Sequence, residues 1–338
     1  MTDAKPLSVA CIDYHTAGEP FRIVSGGVPP LRGKTILDRR ADAEERLDDV
    51  RRFLVQEPRG HADMYGCFVT DPEDDGADIG VVFFHNAGYS TACGHGTIAL
   101  VTWAIESGIV APEGDEVPVV VDVPSGRVPT VARMAGGRVR SVRFQNVPSF
   151  AQGEPIRLPT SAGTVTVDIS YGGAYYGSVA AADVGMTIEP ANVSAFIALG
   201  REIKDRLNQS DVATHPEDPR LSGVYGVIFS EDVADDSVPL RQRNLTVFAD
   251  GEVDRSPCGS GTSARLALLH RDGRIRIGER LAHESVIRTE FSAEVVEETE
   301  AYGRPAVITE VTGAAHRTGY HQFVLEHEDD LGTGFLLR

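Results

Sequence analysis

The sequence predicts an α/β protein built from two similar halves, each rich in short strands around one buried central helix. Two observations lead to this fold class. The chain has 338 residues, which is longer than a single hydrophobic core usually grows, so two domains are expected. The chain also contains an internal repeat, because a motif centred on Cys93 returns at Cys258, 165 residues later.

Short apolar runs bounded by Gly, Pro, Asp or Asn predict that strands dominate both halves. The clearest runs are VVFF (81–84), VPVVVDV (117–123), TVTVDI (164–169), VYGVIF (224–229) and AVITEVTG (306–313). Amphipathic helical patterns are fewer. We expect one helix over 41–56 and another over 192–209, in which Asn192 would be the N-cap.

The repeat predicts the two central helices. CGHGTIALVTWAIESGIV (93–110) aligns with CGSGTSARLALLHRDGRI (258–275), so that a Cys, two Gly and a Thr coincide. Each copy follows a strand-like run, continues through apolar residues with few helix breakers, and closes on a glycine, Gly108 or Gly273. A glycine at that point is typical of the residue after a helix C-cap. Each copy therefore predicts a buried helix that begins beside its cysteine.

The repeat also divides the chain. We expect a first half over 1–160 with the Cys93 helix and a second half over 161–325 with the Cys258 helix. A final segment, 326–338, would return to the first half. Each half should present a cysteine at the N-terminus of its central helix.

Composition argues against several classes of partner. The formal charge of −18 disfavours nucleic acids, since binding to phosphates needs clustered cations. No apolar run reaches the roughly 18 residues of a membrane-spanning helix, and the first residues lack the pattern of a secretory signal. We therefore expect a cytoplasmic protein that acts on a small molecule. Four cysteines in so long a chain predict free thiols, with Cys11 and Cys67 as small core residues.

The position of the repeated cysteines has chemical consequences. The positive end of a helix is expected to lower the pKa of a cysteine from about 8.5, and glycine N–H groups there can cradle a carboxylate. Two such helix ends would hold one carboxylate between two thiols. This arrangement suits inversion at an α-carbon, where one base removes a proton and a second group delivers one to the opposite face. Asp254, four residues before Cys258, could pair with a substrate ammonium, and no cofactor is required.

Other classes of protein fit the sequence less well. A P-loop would need a Gly-Lys-Ser/Thr ending, and a cysteine hydrolase would leave the second cysteine unexplained. A non-catalytic amino-acid-binding module would share the cleft but would not need a thiol at both helix ends. A zinc site lacks a paired Cys-x₂-Cys spacing and would have to be drawn from Cys93, His95, His85, His61 and Asp63.

Several segments resemble the proline racemase family, which includes proline racemase, 4-hydroxyproline 2-epimerase and trans-3-hydroxy-L-proline dehydratase. The two signatures are TACGHGTIA (91–99) and VDRSPCGSGTSARLA (253–267). The resemblance spans nearly the whole chain, since it extends to IDYHTAGEPFRIV (12–24), EPRGHADMYG (57–66), VDISYGGAYY (167–176) and GFLLR (334–338). It implies a diaminopimelate-epimerase-like fold, a homodimer, and catalysis without cofactor or metal.

Carried onto this sequence, the resemblance implies roles for seven residues of the two signatures. Cys93 and Cys258 would be the acid and base thiols, while His95 and Asp254 would face the ring nitrogen of the substrate. The backbone amides that would hold the carboxylate belong to Gly94, His95, Gly259 and Ser260.

Substrate preference is where the sequence departs from proline racemases, which carry phenylalanine at both ring-facing positions. Phe248 matches the second position, but Tyr65 occupies the first, and its hydroxyl could hydrogen-bond a hydroxylated ring. FHN (84–86) and DMYG (63–66) resemble the dehydratases, which replace the second cysteine with threonine, whereas this chain has Cys258. We therefore expect a racemase or 2-epimerase of proline or hydroxyproline, with the dehydratase as the alternative. The sequence assigns no role to His15, Arg59, His61 or His85.

Overall fold

Both halves of the chain follow the same order of strands and helices in the computed structural model of the protein, which describes residues 7–235 and 237–337. The first half comprises β1 (Leu7–Thr16), β2 (Glu19–Gly26), α1 (Ile36–Arg46), α2 (Asp48–Val55), β3 (Tyr65–Thr70), β4 (Ile79–His85), β5 (Gly88–Tyr89), α3 (Gly94–Glu106), β6 (Glu116–Val123), β7 (Gly126–Ala135) and β8 (Arg138–Gln145). The remainder comprises β9 (Phe150–Ala151), β10 (Ile156–Thr160), β11 (Gly163–Tyr171), β12 (Tyr175–Ala180), α4 (Val193–Leu207), β13 (Val224–Asp232), β14 (Leu240–Phe248), β15 (Glu252–Asp254), α5 (Gly259–Arg271), β16 (Arg280–Glu284), β17 (Glu290–Ala301), β18 (Arg304–Gly313) and β19 (Ala315–Leu325).

The pairing of the strands repeats together with their order. In the first half β1 and β2 are antiparallel, β2 and β3 parallel, β3 and β4 antiparallel, and β4 and β6 parallel. In the second half β11 and β12 are antiparallel, β12 and β13 parallel, β13 and β14 antiparallel, and β14 and β16 parallel. The internal repeat predicted from the sequence is therefore confirmed by the sheet topology, and so is the strand-rich α/β class.

Strand pairing also joins the two halves. β8 of the first half pairs antiparallel with β18 of the second. The last strand, β19, pairs along its whole length with β1, and an isolated bridge connects Phe335 to Glu57. The end of the chain thus lies against its beginning.

The central helices α3 and α5 are buried on almost every side, as their apolar sequences predict. Every residue of 94–105 is buried, and the side chains of Ile98 and Leu100 are fully inaccessible to solvent. Burial of each such side chain stabilises the fold by about 1.5–3 kcal/mol. Gly108 and Gly273 follow the two helices in the left-handed conformation, with φ of 75° and 67°, which confirms the predicted helix ends.

Two helical predictions need correction. The helix expected over 41–56 is divided into α1 and α2, because the backbone of Leu47 leaves the helical conformation, and a capping box starts α1 earlier than expected. The helix expected over 192–209 is α4. Asn192 precedes it but does not cap it, since its side chain donates a hydrogen bond to the carbonyl of Thr187 at 2.9 Å.

The expectations for Cys11 and Cys67 are confirmed, since both are buried free thiols in the apolar core. Within the described ranges no helix is long and apolar enough to cross a membrane.

Candidate active site

The N-termini of α3 and α5 touch each other at the centre of the molecule. A methyl group on Gly94 would lie 2.5 Å from the Cα atom of Gly259, and one on Gly259 would lie 2.6 Å from the Cα of Gly94. Only glycine can occupy either position without moving backbone. The positive ends of the two helix dipoles therefore converge on one small space, where several N–H groups of each first turn have no partner within the helix.

A thiol stands at each of these helix ends. Cys93 is the N-cap of α3, and its Sγ accepts a hydrogen bond from the N–H of Gly96 at 3.2 Å. Cys258 precedes α5 in the left-handed conformation, with φ of 64°. The second glycine of each motif leaves room for the thiol, since a methyl group on Gly96 or Gly261 would lie 2.7 or 2.9 Å from the neighbouring sulfur.

The predicted lowering of the thiol pKa values is wrong for this closed form of the site. Burial raises the pKa of Cys93 well above its ordinary value, and the opposing hydrogen bond from the Gly96 N–H does not compensate. Burial likewise raises the pKa of Cys258, with a further contribution from the negative charge of Asp254. Removal from water disfavours the thiolate more than the helix end favours it.

His95 and Asp254 form the next layer of the site. The His95 ring lies 3.5 Å from the Cys93 sulfur, and its Nδ1 lies 3.8 Å from Oδ2 of Asp254. Burial lowers the pKa of His95 to about 3, so its ring is neutral. Burial raises the pKa of Asp254 to about 6, although the Ser256 N–H donates to its carboxylate at 2.8 Å. Asp254 thus provides a buried negative charge beside both thiols.

Aromatic side chains line the opposite side of the same space. The Tyr65 ring packs against the edge of His95, with 4.9 Å between ring centroids, and against Phe248 at 5.9 Å. The Tyr65 hydroxyl hydrogen-bonds the hydroxyls of Ser90 and Tyr225, the latter at 3.1 Å. Sequence reasoning missed Ser90 and Tyr225. Ser90 directly precedes the first signature, which is the signal that could have identified it.

Two further hydroxyl groups lie close to Cys258. The Tyr176 hydroxyl lies 2.7 Å from Oγ of Ser260 and 3.8 Å from Sγ of Cys258. Tyr176 was also missed, although it ends one of the segments that resemble the family. The nine residues that the sequence predicts for the site all lie in this one cluster.

A buried acidic residue connects this cluster to the first half. Glu19, at the start of β2, is inaccessible to solvent, and burial raises its pKa well above the ordinary value. Its Oε2 accepts a hydrogen bond from the backbone N–H of Arg255 at 2.7 Å. The Arg255 guanidinium then reaches Asp63 at 2.7 Å. This network fixes the segment that carries Asp254 against the first half.

The remaining residues that the sequence left without a role have contacts elsewhere. The His15 ring lies 5.3 Å from that of His316, Arg59 forms an ion pair with Asp329 at 2.8 Å, and His61 is exposed. In the described part of the chain, no three His, Cys, Asp or Glu side chains come together in a metal-binding arrangement.

Comparison with known proteins identifies the relatives of this chain. The profile of the family described as proline racemase matches residues 11–336. The chain belongs to the proline racemase family. The resemblance drawn from the two signatures is thereby confirmed over nearly the whole sequence.

Named members of the family differ in activity. A trans-3-hydroxy-L-proline dehydratase of Bacillus cereus is 44% identical over 326 residues, which cover 96% of this chain and 97% of that protein. A 3-hydroxyproline 2-epimerase of Burkholderia multivorans is 44% identical over 332 residues, 98% of each chain. A hydroxyproline epimerase from Agrobacterium vitis, solved with bound trans-4-hydroxy-L-proline, superposes with a TM-score of 0.90 at 32% identity, covering 98% of this chain and 96% of that one.

Proposed function

We propose that this protein is a cofactor-independent 2-epimerase of a hydroxylated proline, in which Cys93 and Cys258 act as the acid and base pair. The observation that carries the proposal is the contact between the two helix ends, each of which begins beside one of the two cysteines. A one-base reaction would not need that symmetry. Inversion does, because the proton leaves one face of the α-carbon and returns to the other.

Each step of the reaction can be assigned to a group of the site. The N–H groups of the two helix ends, those of Gly94, His95, Gly259 and Ser260, would bind the substrate carboxylate. One thiolate takes the α-proton, the electron pair of the broken C–H bond is delocalised into the carboxylate, and the opposite thiol protonates the other face. The helix ends stabilise the added charge on the carboxylate in that intermediate. The proton gained by one sulfur and lost by the other balances the reaction.

The raised thiol pKa values are compatible with this mechanism. The substrate ring nitrogen carries a positive charge, which we place between Asp254 and the neutral ring of His95. A cation within a few ångströms of a buried thiol favours its thiolate form. Substrate binding would therefore generate the base only when there is a substrate to deprotonate.

A hydroxylated ring fits the site better than proline. Tyr65 supplies a hydroxyl at the ring-facing position, and Ser90 and Tyr225 extend it into a hydroxyl cluster. A site that can hydrogen-bond a substrate hydroxyl discriminates against the analogue that lacks it. The names of the relatives from Bacillus cereus and Burkholderia multivorans both refer to 3-hydroxyproline, and we propose trans-3-hydroxy-L-proline as the substrate.

Dehydration of the same substrate is the second candidate. It is favoured by the name of the Bacillus cereus relative and by the hydroxyl cluster, which could protonate a departing hydroxyl. In this reaction one thiolate removes the α-proton, the C3–O bond breaks, and a double bond forms between the α-carbon and C3 as water leaves. Only one thiol is needed as a base, so the reaction leaves Cys258 without a function.

One experiment separates the candidates. The protein is incubated in D₂O with L-proline, trans-4-hydroxy-L-proline and trans-3-hydroxy-L-proline, and α-proton exchange, configuration at C2 and loss of the 3-hydroxyl are followed together. Deuterium incorporation with inversion and a retained hydroxyl is the expected result for the last substrate. Loss of the hydroxyl without inversion would replace the proposal with the dehydratase.

We further propose that the protein works as a cytoplasmic homodimer. Strand β19 is paired to β1 on one side and exposes Tyr320 and Val324, at 67% and 46% of their surface. Exposed apolar side chains on an edge strand are typical of an interface between chains. Light scattering after size exclusion should give twice the mass of the chain, and Tyr320→Glu should shift the protein to monomer. Four buried free cysteines suit a reducing compartment.

A further inference from the structure

A buried pair of ionisable side chains beside the site has no part in the reaction described above. His85 ends β4, and Glu252 begins β15 in the other half. Nδ1 of His85 lies 2.9 Å from Oε2 of Glu252, and only a few per cent of either side chain is exposed. The backbone N–H of Ala87 lies 2.9 Å from the other Glu252 oxygen, which fixes the carboxylate in place.

The His85 ring lies among the aromatic side chains that line the candidate site. His85 is directly opposite Tyr65 in the antiparallel pair of β3 and β4, and side chains of such a pair share one face of the sheet. The His85 ring centroid lies 5.4 Å from that of Tyr65, 5.7 Å from Phe248 and 5.9 Å from Tyr225. With Ser90 and Tyr225, it also borders a cavity of about 480 Å³ between the halves, which lies next to the site and is not lined by Cys93 or Cys258.

The two nitrogens of the His85 ring differ in their neighbours. Nδ1 accepts a hydrogen bond from the Ala87 N–H at 3.2 Å and lies 2.9 Å from Oε2 of Glu252. Nε2 is buried and has no hydrogen-bond partner among the described residues. Buried polar atoms nearly always have one, so Nε2 points to a partner that the chain does not supply.

We propose that His85 is a specificity residue that binds the ring hydroxyl of the substrate through Nε2, and that Glu252 holds the imidazole in the required orientation. The inference rests on the proposed function, since it assumes a hydroxylated proline in the site. A hydroxyl can both donate and accept, so it can hydrogen-bond Nε2 in either tautomer of the imidazole. Proline has no group to fill this position.

The competing interpretation is that the pair only ties the two halves together. Two substitutions separate these interpretations, because each preserves one nitrogen position of the ring. His85→Asn keeps a polar group near the Nδ1 position, toward Glu252, and removes the Nε2 position. His85→Gln reaches the Nε2 position and gives up the contact with Glu252. His85→Asn therefore removes the proposed contact with the substrate hydroxyl, whereas His85→Gln removes the contact with Glu252.

The test measures kcat and KM for trans-3-hydroxy-L-proline by α-proton exchange in D₂O, with L-proline as a second substrate or a competitive inhibitor. We expect His85→Asn to raise KM for the hydroxylated substrate about tenfold, the cost of one hydrogen bond, with little change in the affinity for proline. His85→Gln should keep the wild-type preference. The matched control is His270→Asn, which breaks a similar ion pair with Glu298, of 2.8 Å, on the surface.

The outcomes distinguish the inference from the proposed function. If the wild type exchanges the hydroxylated substrate but His85→Asn keeps its preference, the inference is overturned and the proposed function stands. If only His85→Gln loses the preference for the hydroxylated substrate, the pair acts by joining the two halves, and the inference is overturned. If the wild type exchanges no substrate, the proposed function is overturned, and the inference with it. Should His85→Asn fail to fold in a thermal melt, the preference of His85→Gln decides.

Discussion

The two site cysteines occupy equivalent places in the repeat but have different backbones. Cys93 is extended, with φ of −155°, whereas Cys258 is left-handed, with φ of 64°. A non-glycine residue in that conformation carries strain that the surrounding structure must offset, and such strain is concentrated at functional sites. The neighbouring side chains differ too, since His95 contacts the sulfur of Cys93 and the Tyr176 hydroxyl contacts that of Cys258. The two thiols are therefore related by the fold without being chemically identical.

Replacement of either thiol should abolish inversion. We expect Cys93→Ser and Cys258→Ser each to lower the rate of 2-epimerisation by about 10²–10⁴-fold, the usual contribution of an acid or base. Polarimetry of trans-3-hydroxy-L-proline measures the effect. Cys11→Ala is the matched control, because it removes a buried thiol that lies in the core, and it should remain active. Near wild-type inversion by either site variant would rule out the two-base mechanism.

Removal of the Tyr65 hydroxyl should change the substrate preference. Tyr65→Phe keeps the ring that packs against His95 and Phe248 and deletes the hydrogen bonds to Ser90 and Tyr225. The ratio of kcat/KM for hydroxyproline to that for proline should fall about tenfold. An unchanged ratio would show that this hydroxyl takes no part in selection.

Asp254 should impose a lower pH limit on activity. Burial raises its pKa to about 6, so the carboxylate is charged above that pH and becomes neutral below it. Neutral Asp254 cannot attract the ring ammonium, and kcat/KM should fall toward a tenth of its plateau value at about pH 5. Asp254→Asn should be weakly active with a flat profile over this range. A wild-type profile that is equally flat would contradict the role given to Asp254.

At the scale of elements, the contact between α3 and α5 is the feature that defines the site. The helices are long and apolar enough to be predicted from sequence, and so are their glycine ends. The contact between them is not a local property, because Gly94 and Gly259 lie in different halves of the chain. The repeat in the sequence predicts only that the two helix ends occupy equivalent positions in the two halves.

A side chain at this contact should inactivate the protein. Gly259→Ala adds a methyl group 2.6 Å from the Cα of Gly94, so the helix ends must separate. Displacements of about 1 Å in a catalytic site can cost about 10²-fold in rate, and we expect a loss of that size in epimerisation. Gly26→Ala, where an added methyl group meets nothing within 4 Å, is the control. An active Gly259→Ala variant would show that close approach of the helices is dispensable.

The parts that the sequence did not predict share a physical cause. Ser90, Tyr225 and Tyr176 act through hydroxyl contacts between residues 25 to 160 positions apart, and periodicity carries no information about such pairs. The thiol pKa values were predicted in the wrong direction because the charge of a helix end can be read from sequence, whereas the depth of burial cannot. The break at Leu47, where φ is −121° and ψ is 12°, leaves no sign in the apolar pattern of 41–56.

At the scale of the whole molecule, the two halves are closed over the site. Hydrogen bonds between the Tyr65 and Tyr225 hydroxyls and from Thr91 to the carbonyl of Gly173 span the cleft. Cys93 and Cys258 are each only 6% exposed as a result. A substrate can enter only when these contacts open, so binding must be coupled to movement of the halves.

Thiol labelling should report this opening. We expect iodoacetamide to modify Cys93 and Cys258 slowly through transient opening, while Cys11 and Cys67, at 2% and 0% exposure, react only on global unfolding. A hydroxyproline at about 100 times its Kd leaves roughly one molecule in a hundred free, and labelling of the site pair should slow by about that factor. Mass mapping of the modified peptides measures all four positions. Labelling of the site pair that is no faster than that of Cys11 and Cys67 would contradict opening of the site.

The touching glycines also bear on how such a chain could arise. The two halves repeat one pattern of strand pairing and meet at Gly94 and Gly259, so a half-length chain paired with its own copy would present two identical thiols. In a single chain the residues beside the two thiols can differ, as His95 and Ser260 do. A single chain with two unlike halves can thus place different side chains on the two faces of a bound ring.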